Sequence, residues 1–453
     1  MKTAGIIAEF NPLHTGHEYL IQQLRLKYGV EFFVVVMSGD YVQRGEPAFF
    51  SKFLRTKAAL LSGADLVLEL PLSVSTGSAE YFAEGAVSLL DCLGCINYLG
   101  FGSECGDISS FLAAGKFLSD EPETYRYLLQ QYLKAGMNFP RARYEALSAL
   151  SADRHILSDA AASASDTPAP EDLSGILSLL KSPNNILGVE YCKALYKLRS
   201  SMIPVTVKRL GAGYHEALYP DGKCSPADHF CDADQTTSLP QYASASGLRK
   251  AFLASTSSSE SGKEDILFGN YVPQACCSLY LEALRQKQYV TFDDLFLPLY
   301  YALQYTDAKA LTRYQDVTPE FAQRLLDVFC QCSSVTELCD ALKTKNLTST
   351  RINRCLLHIL LRLTKDAVAA ERKQGFAQYA RVLGFRRDAA PLLSEIKKKA
   401  SIPLVSKLAD APNYLSPAAL FQLQQTIKAS ELYRASLPGG RSGSEYTQNI
   451  VIL

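Results

Sequence analysis

The run Phe32-Phe33-Val34-Val35-Val36-Met37 constrains the fold of this chain more than any other segment. It is apolar throughout and rich in β-branched residues. With no polar face, it suits a strand covered on both sides, the central position of a parallel sheet. The surrounding sequence supplies partners and covers. Gly5–Phe10 is a strand candidate, followed by a helix over 16–28. Lys52–Ser62 is amphipathic and helical, Asp65–Leu70 is a strand stopped by Pro71, 80–93 is helical, and Tyr98–Gly102 is a strand ending in glycine. Strand and helix alternate, which predicts an α/β fold with a doubly wound parallel sheet. Such sheets bind ligands at the carboxyl ends of their strands.

At 453 residues the chain has room for two or three domains. Residues 151–174, with Ala160-Ala161-Ala162-Ser163-Ala164-Ser165, lack large apolar side chains and read as a loop insertion. Asp221–Gln241 reads as a long surface loop and Ser255–Glu264 as a flexible break. From about Asp265 onward helical periodicity dominates, most clearly in Arg351–Leu361. The expected division is an N-terminal sheet domain over 1–253 and a mostly α-helical, basic domain over 265–453.

Several classes are excluded early. No apolar run approaches the ~18 residues of a membrane span, and the apolar run within Met1–Phe10 is too short for a signal peptide and is followed by an acid. Twelve cysteines include Cys92-Leu93-Gly94-Cys95 with Cys105 nearby. A zinc site is conceivable there, but no second pair or suitably spaced histidine completes it, so the preferred reading is buried, unlinked thiols and no metal, in a reducing cytoplasm.

The chemistry concentrates at strand ends. Asn11-Pro12-Leu13-His14-Thr15-Gly16-His17 follows the first strand and opens the first helix. A helix N-terminus offers free N–H groups and a positive dipole end, which suit polyphosphate. Gly16 allows close backbone approach. His14 and His17 can donate hydrogen bonds to phosphate oxygens and stabilise charge as an α-phosphorus is attacked. The bland alternative is a helix capped by Thr15 with two surface histidines. Met37–Pro47 follows the second strand, and Arg44, Lys52 and Arg55 are candidate contacts for phosphate or RNA. Gly102, after the 98–101 strand, can approach a base or ribose. Asn184 caps a helix or reads a nucleotide, and Arg209 ends a β-type run. Ser244-Ala245-Ser246-Gly247-Leu248-Arg249 is either a cap or a second phosphate clamp.

Together these pieces resemble the nucleotidylyltransferase superfamily of the H-x-G-H type. More narrowly, the chain resembles the bacterial tRNA(Met) cytidine acetate ligase family. The matching segments are Gly5–His17, Met37–Pro47, Ala64–Pro71, Gly102–Asp107, Pro183–Gly188, Arg209 with Tyr214-His215, Ser244–Arg249, Tyr379–Phe385 and Pro403–Lys407. They run in order along nearly the whole chain. Phe10, Leu13 and Thr15 stand where the family tends to have Tyr, Phe and Asn. The resemblance implies that ATP is bound by Ile7, Ala8, Glu9, Phe10, Asn11, Pro12, Leu13, His14, Thr15, Gly16, His17, Glu18, Tyr19 and Leu20, and by Gly102, Asn184 and Arg209. It also implies activation of acetate to acetyl-adenylate and acetyl transfer to the wobble cytidine of elongator tRNA(Met). For the first step, the residues themselves point to His14 and His17 as catalytic, and magnesium is expected to escort the ATP.

Charge distribution agrees with an RNA partner. Lys and Arg balance Asp and Glu at 46 each over the chain, yet Arg351–Lys407 holds thirteen basic residues against four acidic ones. Such a patch is the footprint of a phosphate backbone. Phe376, Tyr379 and Phe385 interleave with it and are candidates for base stacking. Two other readings stand beside this one. An adenylyltransferase for a small cofactor precursor shares the first half-reaction but leaves the basic half without a role. A non-catalytic RNA-binding protein leaves the paired histidines without one.

Overall fold

The computed structural model describes residues 1–152, 170–209, 244–257, 271–345, 347–440 and 443–453. Its centre is an eight-stranded sheet in the order β10-β8-β5-β2-β1-β6-β7, with β9 paired to β8. The core strands are β1 (Thr3–Ala8), β2 (Phe32–Ser38), β5 (Leu66–Leu70), β6 (Tyr98–Ser103) and β7 (Ile203–Lys208). All pairings among these five are parallel. A small antiparallel pair, β3 (Tyr41–Val42) and β4 (Glu46–Pro47), projects after β2.

The apolar run of β2 behaves as its composition demands. Phe33, Val35 and Met37 join the core on the face covered by the helices Thr15–Tyr28, Lys52–Leu61 and Gln274–Arg285. Val34 and Val36 join the opposite core, with the helices Ala79–Cys92, Ile108–Asp120 and Pro183–Leu198. Each face buries alternate side chains of one strand, and both are sealed. Gly188 permits close packing of its helix, since a Cβ there would stand 2.7 Å from Phe101 Cε2.

In the order β5-β2-β1-β6-β7 the chain winds one way from β1 to β5 and the other way from β1 to β7. The reversal lies between β1 and β6, where splayed connections leave a crevice beyond the carboxyl ends. That crevice holds the site.

The C-terminal segment departs from expectation. Residues 274–373 are helical, and Leu299–Ile359 form a core of their own. But β8 (Ala380–Phe385) pairs antiparallel to β5 and carries β9 (Leu404–Val405) and β10 (Val451–Ile452). The chain therefore returns to the sheet after its helical excursion. Alternation in β8 is masked by burial on both sides, so its short apolar run passes for helix. The insertion expected over 151–174 falls mostly outside the described residues, but a helix occupies Pro170–Leu179 at its end. The helix Ala245–Ser257 runs into the break expected at Ser255. Tyr214, His215 and the loop 221–241 lie outside the described residues.

Candidate active site

β1 ends at Ala8, and the turn from Glu9 to Leu13 leads into the helix Thr15–Tyr28. The N-cap of that helix is His14, not Thr15. His14 Nδ1 accepts from Gly16 N at 3.1 Å, and His17 Nδ1 accepts from His14 N at 3.2 Å. The two histidines thus form a reciprocal capping box with imidazoles in place of the usual hydroxyl and carboxylate. Thr15 Oγ1 is buried with no partner among the described residues. The spacing has a physical reason, since N-cap and third helical position are the pair that can cap reciprocally.

This capping fixes protonation. Burial, then the positive charge of Arg209, push the His14 pKa down to about 3. Burial, His14 and Arg209 hold His17 well below its usual value. Both rings are neutral near pH 7. With Nδ1 accepting from the backbone, the single ring proton of each sits on Nε2. The ring centroids are 3.8 Å apart, and Phe10 meets His17 edge-on at 4.9 Å.

Both imidazoles line a cavity of about 600 Å³. Of the residues singled out at the first turn, Ile7, Ala8, Glu9, Phe10, Asn11, His14, Gly16, His17, Tyr19 and Leu20 line it; Pro12, Leu13, Thr15 and Glu18 do not. Leu13 instead enters the core, with its N–H bonded to Tyr280 Oη at 3.2 Å. Gly102, Asn184 and Arg209, distant in sequence, also line the cavity. Arg209 N–H donates to Ser103 O at 2.8 Å, which sets that residue at the end of the β6–β7 pair. Asn184 is not a cap: Ser182 occupies that position. Asn184 donates to Glu104 Oε1 at 2.7 Å, and Asn185 Oδ1 accepts from Glu104 N at 3.0 Å, tying this helix start to the loop after β6.

The Ser244–Arg249 element is both cap and cavity wall. Ser244 Oγ accepts from Gly247 N at 3.1 Å. Arg249 donates to Asn11 O at 2.7 Å and Glu46 Oε1 at 2.8 Å, bracing the histidine turn against the β3–β4 loop. Sequence reading missed Gln43 as a lining residue, and likewise Phe82, Tyr191 and Thr350. The first three sit in apolar or turn contexts, where only tertiary packing shows that they border a cavity.

Two expected contacts are corrected. Lys52 and Arg55 are fully buried and unavailable to phosphate or RNA. Lys52 Nζ lies 2.8 Å from Glu69 Oε1 and 3.6 Å from Asp40 Oδ2, and also pairs with Glu445. Arg55 donates to the carbonyls of Phe50, Glu9, Ser38 and Gly39, holding the ends of β1 and β2 together. Arg44 does border the cavity.

The basic segment is also revised. Arg381 is buried against Glu69 at 2.8 Å and Glu445 at 2.7 Å. Tyr379 is only 1% exposed, so it offers no stacking surface. Phe376 packs against Tyr81 at 5.0 Å, and Phe385 is half-buried against the core. Arg362, Arg372, Lys373, Arg387 and Lys397–Lys399 stay exposed. Among the described residues no group of His, Cys, Asp or Glu is placed to hold a metal ion, and no helix is long and apolar enough to cross a membrane. The described cysteines, including Cys92, Cys95 and Cys105, are unlinked.

A doubly wound sheet whose switch-point crevice carries a histidine pair on the first helix defines a nucleotidyl transferase of the HIGH class, and the HIGH Nucleotidyl Transferase family model matches residues 1–448. Two curated proteins named tRNA(Met) cytidine acetate ligase align over 100% of both chains: that of Acetivibrio thermocellus at 35% identity and that of Clostridium perfringens at 34%. The structure of Thermotoga maritima TmcAL bound with alpha-thio ATP matches with a TM-score of 0.83 and 26% identity over 100% of both chains, and its apo form matches with 0.84. The chain belongs to the tRNA(Met) cytidine acetate ligase family.

Proposed function

We propose that this chain is an ATP-dependent ligase that activates acetate as acetyl-adenylate and transfers the acetyl group to the wobble cytidine of elongator tRNA(Met), giving N4-acetylcytidine. The observation that carries the reading is the imidazole capping box at the end of β1, facing a cavity shared with Gly102, Asn184 and Arg209. ATP occupies this cavity. Acetate attacks the α-phosphorus and pyrophosphate leaves. Charge grows on the phosphate oxygens as it does so, and the Nε2–H groups of His14 and His17 meet it as fixed, neutral donors. Arg209 adds a positive charge at the ends of β6 and β7. Because Nδ1 of each ring already accepts a backbone N–H, each imidazole offers the phosphate a single donor, Nε2–H. Among the described residues no group of His, Cys, Asp or Glu is placed to hold magnesium, so the ion would be bound through the triphosphate itself, where it would supply positive charge against the departing pyrophosphate.

The cytosine amine is a poor nucleophile, so the acyl group must be activated before transfer. What favours the ligase over an adenylyltransferase for a small cofactor precursor, whose product would be the adenylate itself, is the full-length likeness to the two curated ligases. The exposed basic residues after Arg351 are the proposed contacts for tRNA phosphates. Exchange of pyrophosphate into ATP, measured with and without acetate and repeated with tRNA, tests the reading. Exchange should require acetate and proceed without tRNA. Exchange that ignores acetate but responds to another acceptor would favour the cofactor-type enzyme.

A further inference from the structure

The cavity has two unlike walls. The histidine turn belongs to the face of the sheet where Phe10 and Leu13 enter the core. Across the carboxyl edge, Phe82, Phe101 and Tyr191 belong to the core of the opposite face, and Ile7 packs against that core. Phe101 and Tyr191 meet at 5.9 Å in an edge-on arrangement. Between the walls stands Glu9, whose Oε1 accepts from Gln43 N at 2.7 Å.

A carboxylate is out of place against a triphosphate, because like charges repel. It suits a group that presents N–H donors, and of the two such groups in the proposed reaction, adenine N6 and cytosine N4, only N4 has to reach the reacting phosphate beside the histidine turn that Glu9 opens. We propose that the aromatic side of the cavity seats the wobble cytosine, with the Glu9 carboxylate accepting a hydrogen bond from its N4 amine. This inference rests on the function proposed above and deepens it. Acceptance from cytosine N4 is the characteristic pairing of Glu and Asp with that base. A flipped base is held by hydrogen bonds to its Watson–Crick edge and by packing between aromatic or apolar side chains; Phe82, Phe101 and Tyr191, only 2%, 6% and 5% exposed, offer it ring edges and not open faces. Gln43 borders the same space; its Nε2 donates one N–H to Gly77 O at 3.4 Å, which leaves the second N–H as a candidate donor to the acceptor part of that edge.

The same placement supplies the proton acceptor for transfer. The N4 nitrogen forms a bond to the acetyl carbon while the bond from that carbon to the adenylate phosphate oxygen breaks. AMP leaves with the electron pair, and the N4 proton passes to the Glu9 carboxylate. Burial raises the Glu9 pKa, against the opposing effects of the Gln43 N–H and Arg44. A raised pKa makes it a stronger base than an exposed carboxylate.

The test compares binding of two anticodon stem-loops, with cytidine or uridine at the wobble position. The wild-type protein should prefer cytidine. Glu9→Gln keeps the shape of the side chain and adds an N–H donor that matches uracil O4. Its preference should therefore fall by about 5- to 150-fold, the discrimination carried by one good base contact. Glu9→Asp should keep the preference while binding both loops more weakly. Thermal unfolding of both variants checks the fold. An unchanged preference in Glu9→Gln, or a loss of Mg-ATP affinity with the preference intact, would overturn the assignment and move Glu9 to the nucleotide. Acetate-dependent exchange by the wild-type protein reads the proposed function separately, so the two ideas fail by different results.

Discussion

His14 has two roles that substitution can separate. As N-cap it satisfies Gly16 N, and as a proposed donor it presents Nε2–H. His14→Ala should lose both, about 0.5–2 kcal/mol of stability from the cap and on the order of 10²–10³ in the adenylation rate. Denaturant titration and acetate-dependent exchange measure the two. His14→Asn should recover the cap but not the rate; wild-type exchange in that variant would reduce the motif to a structural cap. Protonation gives a second expectation. Below pH ~6.5 an unfolded histidine takes up a proton, while folded His14 stays neutral down to about 3 and burial likewise holds His17 and His358 low. The unfolded state thus binds more protons in this window, and the stability present above pH ~6.5 is lost as pH falls. Urea midpoints at pH 7.5 and 5.5 should fall less steeply for His14→Asn than for wild type. Arg209→Ala should weaken ATP binding by about 10- to 150-fold, corresponding to about 1.5–3 kcal/mol for a charged hydrogen bond. Loss of tRNA affinity with ATP affinity intact would assign Arg209 to the RNA site.

At the scale of elements, a buried ionic network locks the returning C-terminal segment onto the sheet. Lys52 opens the helix Lys52–Leu61, Glu69 lies on β5, Arg381 on β8, and Glu445 in the turn Glu445–Thr447. Lys52 Nζ also donates to Ser430 Oγ at 2.8 Å, from the helix Pro417–Ala435. Removing one member of such a network leaves partner charges buried without compensation, which costs about 3–5 kcal/mol. Lys52→Met should therefore lower unfolding stability by that amount, read from denaturant midpoints. A change below about 1 kcal/mol, the range of an exposed pair, would mean that the network is solvated. Nothing local marks these residues as buried. Lys52 and Arg55 read as surface cations because a single amphipathic helix does not reveal a second layer, here the C-terminal helix and β8, laid over its polar side.

For the whole molecule, the two ends of the sheet divide the proposed tasks. The cavity lies at the carboxyl edge. Lys399 packs against Gly94, before β6 begins, so the Lys397–Lys399 run lies near the amino edge. A six-residue strand separates them, roughly 20 Å at ~3.3 Å per residue. These lysines can therefore meet only a part of tRNA remote from the reacting base. Reversing all three to Glu should weaken tRNA binding and flatten its salt dependence, by somewhat under one unit of log–log slope per lost phosphate contact. Equal affinity at low salt would shift the RNA track to the helix Ser349–Leu360. That helix brings Thr350 to the cavity.

The amino-acid sequence by itself determined the parallel part of the sheet, because the apolar run of β2 and the alternation of strand and helix around it are local patterns that a doubly wound parallel arrangement buries. It also determined where the chemistry starts, since a strand running into H-x-G-H creates a helix N-terminus whatever follows. Tertiary structure alone decided which distant residues meet there. Gly102, Asn184 and Arg209 come together because β6, β7 and the helix Pro183–Leu198 end at the same edge of the sheet. It likewise decided that Thr15 yields the cap to His14, that Arg381 and Tyr379 are interior, and that residues 380–385 form a strand. Each of these turns on burial by segments far away in the chain, which periodicity and spacing do not encode.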